Sequence, residues 1–95
     1  MQLTNFLQLI TDLDNQITFY YQIDGQTFPL SKLTLTSTAC LATSSQTPLT
    51  KERIAKIVKN MHHRSLPLLV GSSQTKSVPV YGLHIDLQAH TATLM

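Results

Sequence analysis

The chain has 95 residues with a formal net charge of +2, and its charged fraction of 13% is about half the usual share. This length is typical of one domain, so we predict a single α+β domain over residues 1–95. The mild charge permits nucleic-acid binding, but it lacks the larger basic excess of most nucleic-acid binders. With one cysteine, Cys40, an internal disulfide bond is excluded and a reducing compartment is favoured.

The first residues of the chain do not have the pattern expected of an export signal. Its first residues, MQLTNFLQLI, lack the basic segment that begins a signal peptide. No apolar run approaches the roughly 18 residues that a membrane-spanning helix needs. We therefore expect a cytoplasmic protein with no membrane segment and no membrane partner.

Residues 2–13 have the spacing of a helix. Thr4 is the candidate N-cap, because its hydroxyl can accept an unpaired amide hydrogen of the first turn. The helix has few charges, so we predict that it lies flat on a sheet. Its apolar residues recur three or four positions apart, at Leu3, Phe6, Leu7, Ile10 and Leu13.

Residues 16–32 are predicted to form a β-hairpin around the pair Asp24-Gly25. This pair favours the positive φ angles that a tight hairpin turn requires. The turn sets the register and places Tyr21 opposite Phe28. One face of the hairpin is then apolar, and it consists of Ile17, Phe19, Tyr21, Ile23, Phe28 and Leu30.

Residues 32–43 alternate again and are predicted to form a third strand. In the second strand of the hairpin the apolar positions Phe28 and Leu30 are even-numbered, whereas from Leu33 onward the apolar positions are odd-numbered. A strand cannot change parity without a break or bulge, so we predict one near Ser31-Lys32. Residues 43–48 have the composition of a loop.

Residues 50–64 form the most clearly predicted helix. Thr50 is its candidate N-cap, and Glu52 lies in the first turn, where a negative charge suits the helix dipole. Pro67 cannot continue the helix, which should end near Arg64. The apolar stripe comprises Ile54, Ile57, Val58 and Met61.

The opposite face of this helix is basic. Such a face could contact phosphate or an acidic partner. Lys and Arg are also good helix formers that keep a surface in water. We favour the second interpretation, in which the face is the solvated back of a helix that closes the core. The candidate basic contact residues are Arg53, Lys56, Lys59, His63 and Arg64.

The remaining residues are predicted to form strands. Residues 66–70 are a short apolar run, and residues 71–77 are a loop. A final hairpin joins residues 78–87 to residues 91–95, with Leu83 opposite Leu94. One side of its first strand is apolar, with Tyr81, Leu83, Ile85 and Leu87, and the other side carries His84 and Asp86.

The predicted order is therefore α-β-β-β-α-β-β-β, a mostly antiparallel sheet with two helices packed on it. The two halves share this order, yet their residues do not align beyond Thr4 and Thr50 as caps. We therefore expect the likeness between the halves to be coincidental.

Few residues are arranged for chemistry. His62 and His63 are adjacent on a predicted helix and do not converge on one ion, and neither Cys-x-x-Cys nor His-Glu-x-x-His occurs. Cys40 lies in a predicted strand among Thr and Ala, where core packing is more common than catalysis. His84 and Asp86 could form an acid–base pair, although surface strands often carry such residues. We predict no catalytic residue, cofactor or metal.

Two functions follow from these observations. The one we prefer is a protein–protein interaction module without enzymatic activity, whose partner is another protein or a second copy of the chain. A low-charge surface rich in Thr and Ser and the presence of strand edges favour it. The alternative is a weak nucleic-acid-binding protein that uses the basic helix face. An enzyme acting on a small molecule is less favoured, because no convergent polar groups are visible.

Overall fold

The computed structural model describes residues 1–59, 65–71 and 77–95, and in these ranges the chain forms two helices and eight strands. The first half contains α1 (Leu3–Ile10), β1 (Thr18–Ile23), β2 (Gln26–Pro29), β3 (Lys32–Leu35) and β4 (Cys40–Thr43). The second half contains α2 (Lys51–Lys59), β5 (Leu68–Val70), β6 (Val78–Pro79), β7 (Leu83–Asp86) and β8 (Thr91–Leu94). The predicted α+β class and the predicted succession of helices and strands are confirmed.

The strands form two four-stranded sheets, in the orders β2-β1-β8-β7 and β3-β4-β5-β6. Each sheet has one parallel pair, β1 with β8 and β4 with β5, and every other pair is antiparallel. The edge strand β2 leads into β3 of the other sheet, and β6 leads into β7 in the same way. The predicted break near Ser31-Lys32 is therefore confirmed as a corner between the two sheets.

The first hairpin has the predicted turn and register. Asp24 and Gly25 have φ angles of 52° and 79°, and both angles lie in the left-handed region that this turn type needs. Tyr21 pairs with Phe28 as predicted. The second hairpin is confirmed as well, because Leu83 pairs with Leu94.

Two predicted strands are each divided in the structure. Residues 32–43 form the hairpin of β3 and β4, because the Thr36 hydroxyl accepts the N–H of Ala39 at 3.0 Å and of Thr38 at 3.3 Å and so closes a turn. Residues 78–87 contain both β6 and β7, which belong to different sheets. Alternation alone did not reveal either division, since it continues across both.

The first turns of the two helices are capped in different ways. The predicted cap at Thr50 is confirmed, since its Oγ1 accepts the N–H of Arg53 at 3.2 Å. The predicted cap at Thr4 is wrong. Helix α1 begins at Leu3, so Gln2 is its N-cap residue, and the Gln2 side chain makes no capping hydrogen bond. The N–H of Leu3 instead donates to the Leu66 carbonyl at 2.9 Å, so neighbouring backbone takes the place of a cap. Residues 60–64 of the predicted second helix lie outside the described residues.

One core lies between the sheets and the helices. Phe6 of α1 and Phe19 of β1 are fully buried, and their ring centroids are 5.8 Å apart in an edge-to-face arrangement. Ile54 of α2 is buried in the same cluster. Both helices therefore lay their apolar stripes on the strands, as predicted.

The two halves of the chain have matching topology. Each strand of the first half corresponds to the strand four places later, so β1 corresponds to β5 and β4 to β8. Replacing every strand in the order β2-β1-β8-β7 by its counterpart gives β6-β5-β4-β3. This is the strand order of the other sheet, given from its opposite edge. Registers also correspond, because Tyr20 pairs with Pro29 in one half and Leu69 with Pro79 in the other. The turn closed by Thr36 has its counterpart at Asp86.

Hydrogen bonds outside the strands repeat in the same way. The N–H of Leu3 donates to Leu66 at 2.9 Å, and that of Lys51 donates to Ile17 at 3.0 Å. Contrary to the expectation from sequence, the likeness between the halves thus extends from element order to register and turn caps.

Candidate functional site

The basic face of α2 is partly neutralised. Arg53, Lys56 and Lys59 are all exposed, but Lys56 Nζ lies 3.6 Å from Glu52 Oε1 on the same helix. This carboxylate places a negative charge within the basic face. His63 and Arg64, the other two predicted contact residues, lie outside the described residues.

A further lysine of α2 forms hydrogen bonds to the segment that follows α1. Lys51 Nζ donates hydrogen bonds to the carbonyl oxygens of Thr11 and Leu13, both at 2.7 Å. These carbonyls follow the end of α1, where a cation is favourable. Lys51 therefore joins the two helices rather than adding to the basic face.

The potential catalytic groups do not converge. Cys40 is fully buried, and burial raises the pKa of its thiol to about 11, so the thiol stays protonated at neutral pH and is a poor nucleophile. The predicted packing of Cys40 in the core is confirmed. His84 is exposed on β7, and His90 Nε2 lies 3.8 Å from Asp14 Oδ1 at the surface. In the described ranges no three His, Cys, Asp or Glu side chains are grouped to hold a metal ion.

A cavity of about 320 Å³ opens beside the first hairpin. At its base the Tyr21 hydroxyl donates to the Gly71 carbonyl at 3.2 Å, and burial raises the pKa of this tyrosine. Asp24 is the only charged group among its described lining residues, so the cavity offers little for orienting a polar ligand. The lining consists of Tyr21, Ile23, Asp24, Gln26, Phe28, Ser44 and Gly71.

An apolar patch lies on the surface around β7. Tyr81 is 83% exposed and Leu87 is 78% exposed, while Met95 and Ile85 are 47% and 38% exposed. Tyr81 and Met95 are neighbours, because the N–H of Tyr81 donates to the Met95 carbonyl at 2.7 Å. We call these four residues the β7 patch. Met95 pairs with Gly82, one position beyond the Leu83–Leu94 pair, so its side chain lies on the other side of the sheet from Ile85. Exposed apolar groups near a strand edge often mark contact surfaces.

The equivalent positions of the first half are mostly polar. Ser31 corresponds to Tyr81, Ser37 to Leu87 and Thr43 to Met95, because these residues occupy the same places in the paired hairpins. Only Leu35, opposite Cys40 in its hairpin, matches Ile85 in apolar character. The fold is thus compatible with hydroxyl side chains at three of the four positions, so their apolar character in the second half is not a requirement of folding.

The backbone of β7 is also open on one side. Gly82 and Met95 exchange two hydrogen bonds of 3.0 Å, and hydrogen-bonding direction alternates along an antiparallel strand. His84 and Asp86 therefore direct their N–H and C=O groups to β8, while Leu83 and Ile85 direct theirs away from it. Among the described strands, only β8 pairs with β7.

Sequence reasoning identified the apolar side of this strand but not its exposure. Ile85 and Leu83 pair with the buried Ala92 and Leu94, so they do lie on the core-facing side. No further strand of the described ranges covers them, however, and Ile85 stays exposed while Leu83 is half-buried. A surplus of apolar residues at Tyr81 and Leu87, beyond the ends of β7, was the signal in the sequence that could have indicated this.

Comparison of the chain with protein-family models, curated proteins and solved structures found no match. Neither described helix is long and apolar enough to cross a membrane.

Proposed function

We propose that the chain is a protein–protein interaction module that binds its partner through the β7 patch and the open edge of β7, and that it catalyses no reaction. The observation that carries the proposal is the combination of exposed Tyr81, Ile85 and Leu87 with a strand edge whose backbone groups are unpaired among the described strands. An extended partner segment can add to such an edge, gaining main-chain hydrogen bonds and apolar contacts together.

The setting of this surface supports contact with protein. Soluble proteins usually shield open edges with charge, proline or a bulge, whereas here apolar side chains flank the edge. The single cysteine is buried, which suits the reducing cytoplasm in which we place the protein. The partner is an unidentified protein or a second copy of the chain.

Photo-crosslinking from the edge tests this function. A benzoylphenylalanine at position 85 should form a covalent adduct with another polypeptide in extracts of the cells that make the protein. The same group at the equivalent Leu35 of β3 is the matched control and should form far less. The absence of any adduct from position 85, with itself or with another chain, would refute the proposal.

The second candidate is weak nucleic-acid binding by the basic helix face. The observation in its favour is that Arg53, Lys56 and Lys59 are exposed on one helix, and the Glu52–Lys56 ion pair weakens it. Binding of this kind should fall steeply with salt. No binding to single-stranded or duplex oligonucleotides at low salt would remove this candidate.

A further inference from the structure

We propose that two copies of the chain pair through β7, antiparallel about a two-fold axis at Ile85, so that two four-stranded sheets join into one continuous sheet. This inference rests on the proposed function, because it names the partner of the same edge. Three independent features of residues 83–87 select this arrangement: the backbone direction, the charges and the apolar side chains.

Backbone direction limits the possible registers. Leu83 and Ile85 direct their N–H and C=O groups to the open edge, as the Gly82–Met95 bonds require. In an antiparallel pair, opposite residues are either both hydrogen-bonded or both not. Odd-numbered residues must therefore face odd-numbered residues of the partner. Near the centre of the strand, a two-fold axis that passes through residue 84, 85 or 86 satisfies this condition.

Charge then selects among these three axes. An axis at Asp86 would place two carboxylates opposite each other, where like charges repel, and an axis at His84 would place two imidazoles opposite each other with no carboxylate to bond. An axis at Ile85 places His84 opposite the partner's Asp86, and Asp86 opposite the partner's His84. Both side chains are exposed on the same side of β7, so the two pairs would form on one face of the joined sheet.

The other face becomes apolar and continuous. With the axis at Ile85, this residue faces the partner's Ile85, and Leu83 faces the partner's Leu87. Leu83 and Ile85 lie on the face of Ala92 and Leu94, which are buried, and Leu87 follows directly after the end of β7. Pairing would therefore cover the half-buried and exposed apolar residues that the fold of a single chain leaves in water.

The equivalent edge strand of the first half lacks this pattern. On β3 the N–H of Thr36 donates to the Ala39 carbonyl at 2.8 Å, so Leu35 faces the open edge as Ile85 does. A pairing centred on Leu35 would place Thr34 opposite the partner's Thr36, with no charge pair, and Leu33 opposite the partner's Ser37. Strand β3 is thus a matched control within the same molecule.

Sedimentation equilibrium of the purified chain from micromolar to millimolar concentration tests the inference. We expect a reversible monomer–dimer equilibrium. Over the same range, exchange of the Ile85 amide hydrogen should slow as the dimer forms, while that of Leu35 should not change. The His84 amide should be protected throughout, because β8 binds it in the monomer.

Substitutions then test the register. His84→Asp places like charges opposite each other twice and should raise the dimer Kd about tenfold. His84→Asp combined with Asp86→Asn should recover most of that loss. Asparagine keeps the side-chain oxygen that accepts the N–H groups of Gln88 and Ala89, both at 3.0 Å.

Proline provides a backbone test that leaves the fold in place. Ile85→Pro removes an N–H that faces the open edge rather than β8, so the sheet keeps its own hydrogen bonds. This change should abolish dimer formation, while the control Leu35→Pro on β3 should not. Circular dichroism shows whether each variant remains folded. If Ile85→Pro does not fold, His84→Asp is the variant that tests dimer formation.

The outcomes separate this inference from the proposed function. A strict monomer at millimolar concentration, or a dimer that tolerates both His84→Asp and Ile85→Pro, overturns the pairing. If such a protein still crosslinks another polypeptide from position 85, the interaction function stands and only the identity of its partner changes. If it forms no adduct at all, both proposals fail.

Discussion

Replacing Phe6 with alanine should destabilise the molecule strongly, because the buried side chains of α1, of which Phe6 is the largest, hold this helix on the core. The helix has eight residues, no side-chain cap, no acidic residue in its first turn and no basic residue in its last. Isolated helices of this length are not stable in water. The stability of α1 therefore depends on the burial of its apolar stripe.

The magnitude follows from the contacts of the ring. Phe6 is fully buried, and such Phe→Ala changes cost about 3–5 kcal/mol. That range includes roughly 0.5–1.5 kcal/mol from the edge-to-face contact with Phe19 at 5.8 Å. A domain of 95 residues has about 5–14 kcal/mol of total stability. We therefore expect the melting temperature to fall by about 12 °C or more.

Urea denaturation followed by circular dichroism measures this loss. The matched control is Leu9→Ala, on the same helix at a residue that is 51% exposed, and it should cost less than about 1 kcal/mol. Two losses equal within error would show that Phe6 does not anchor α1 to the core, and the description of the core would be wrong.

Three further predictions concern a turn, an ion and a thiol. Gly25→Ala should lower the free energy of unfolding in urea by about 1 kcal/mol, because φ is 79° at this residue. No atom crowds a new Cβ at either Gly25 or Gly82. The control Gly82→Ala, at a residue without positive φ, should therefore be near neutral. Lys51→Met should destabilise by about 1 kcal/mol through loss of its two bonds to the end of α1, whereas Lys56→Met, which breaks only an exposed ion pair, should change stability little. Folding raises the pKa of the Cys40 thiol from 9.0 to about 11. The contribution of this shift to the free energy of unfolding is therefore complete below pH 9 and is lost as the pH rises towards 11. Cys40→Ala should therefore flatten the fall in stability measured across that range.

Much of the local structure could be predicted because it depends on residues close in sequence. The Asp24-Gly25 turn sets the register of its hairpin through backbone conformation alone. The Thr50 cap needs only a hydroxyl three residues before the N–H of Arg53. The change of parity between Leu30 and Leu33 required a break, and the structure places a corner between sheets there.

The candidate site could be predicted only in part. The pattern located the apolar side of residues 81–87, and the basic face of α2 was read from helical spacing. The spacing of Glu52 and Lys56, four residues apart on one helix, is itself typical of an ion pair. What spacing cannot show is that Lys51 binds carbonyls some 40 positions away. The pattern also does not show that the apolar side of β7 includes exposed residues such as Ile85.

The sequence by itself thus determined the helices, the hairpin registers and which side of each strand is apolar, because these properties arise from local backbone chemistry and periodicity. Only the tertiary structure decided that β1 lies beside β8 and β4 beside β5, since parallel pairing joins residues that are far apart along the chain. The same long-range packing decides whether an apolar side is covered. Among the described strands none lies beyond β7 in its sheet, so its apolar side is not fully covered, and the pattern of His84 and Asp86 matters for pairing only at such an edge.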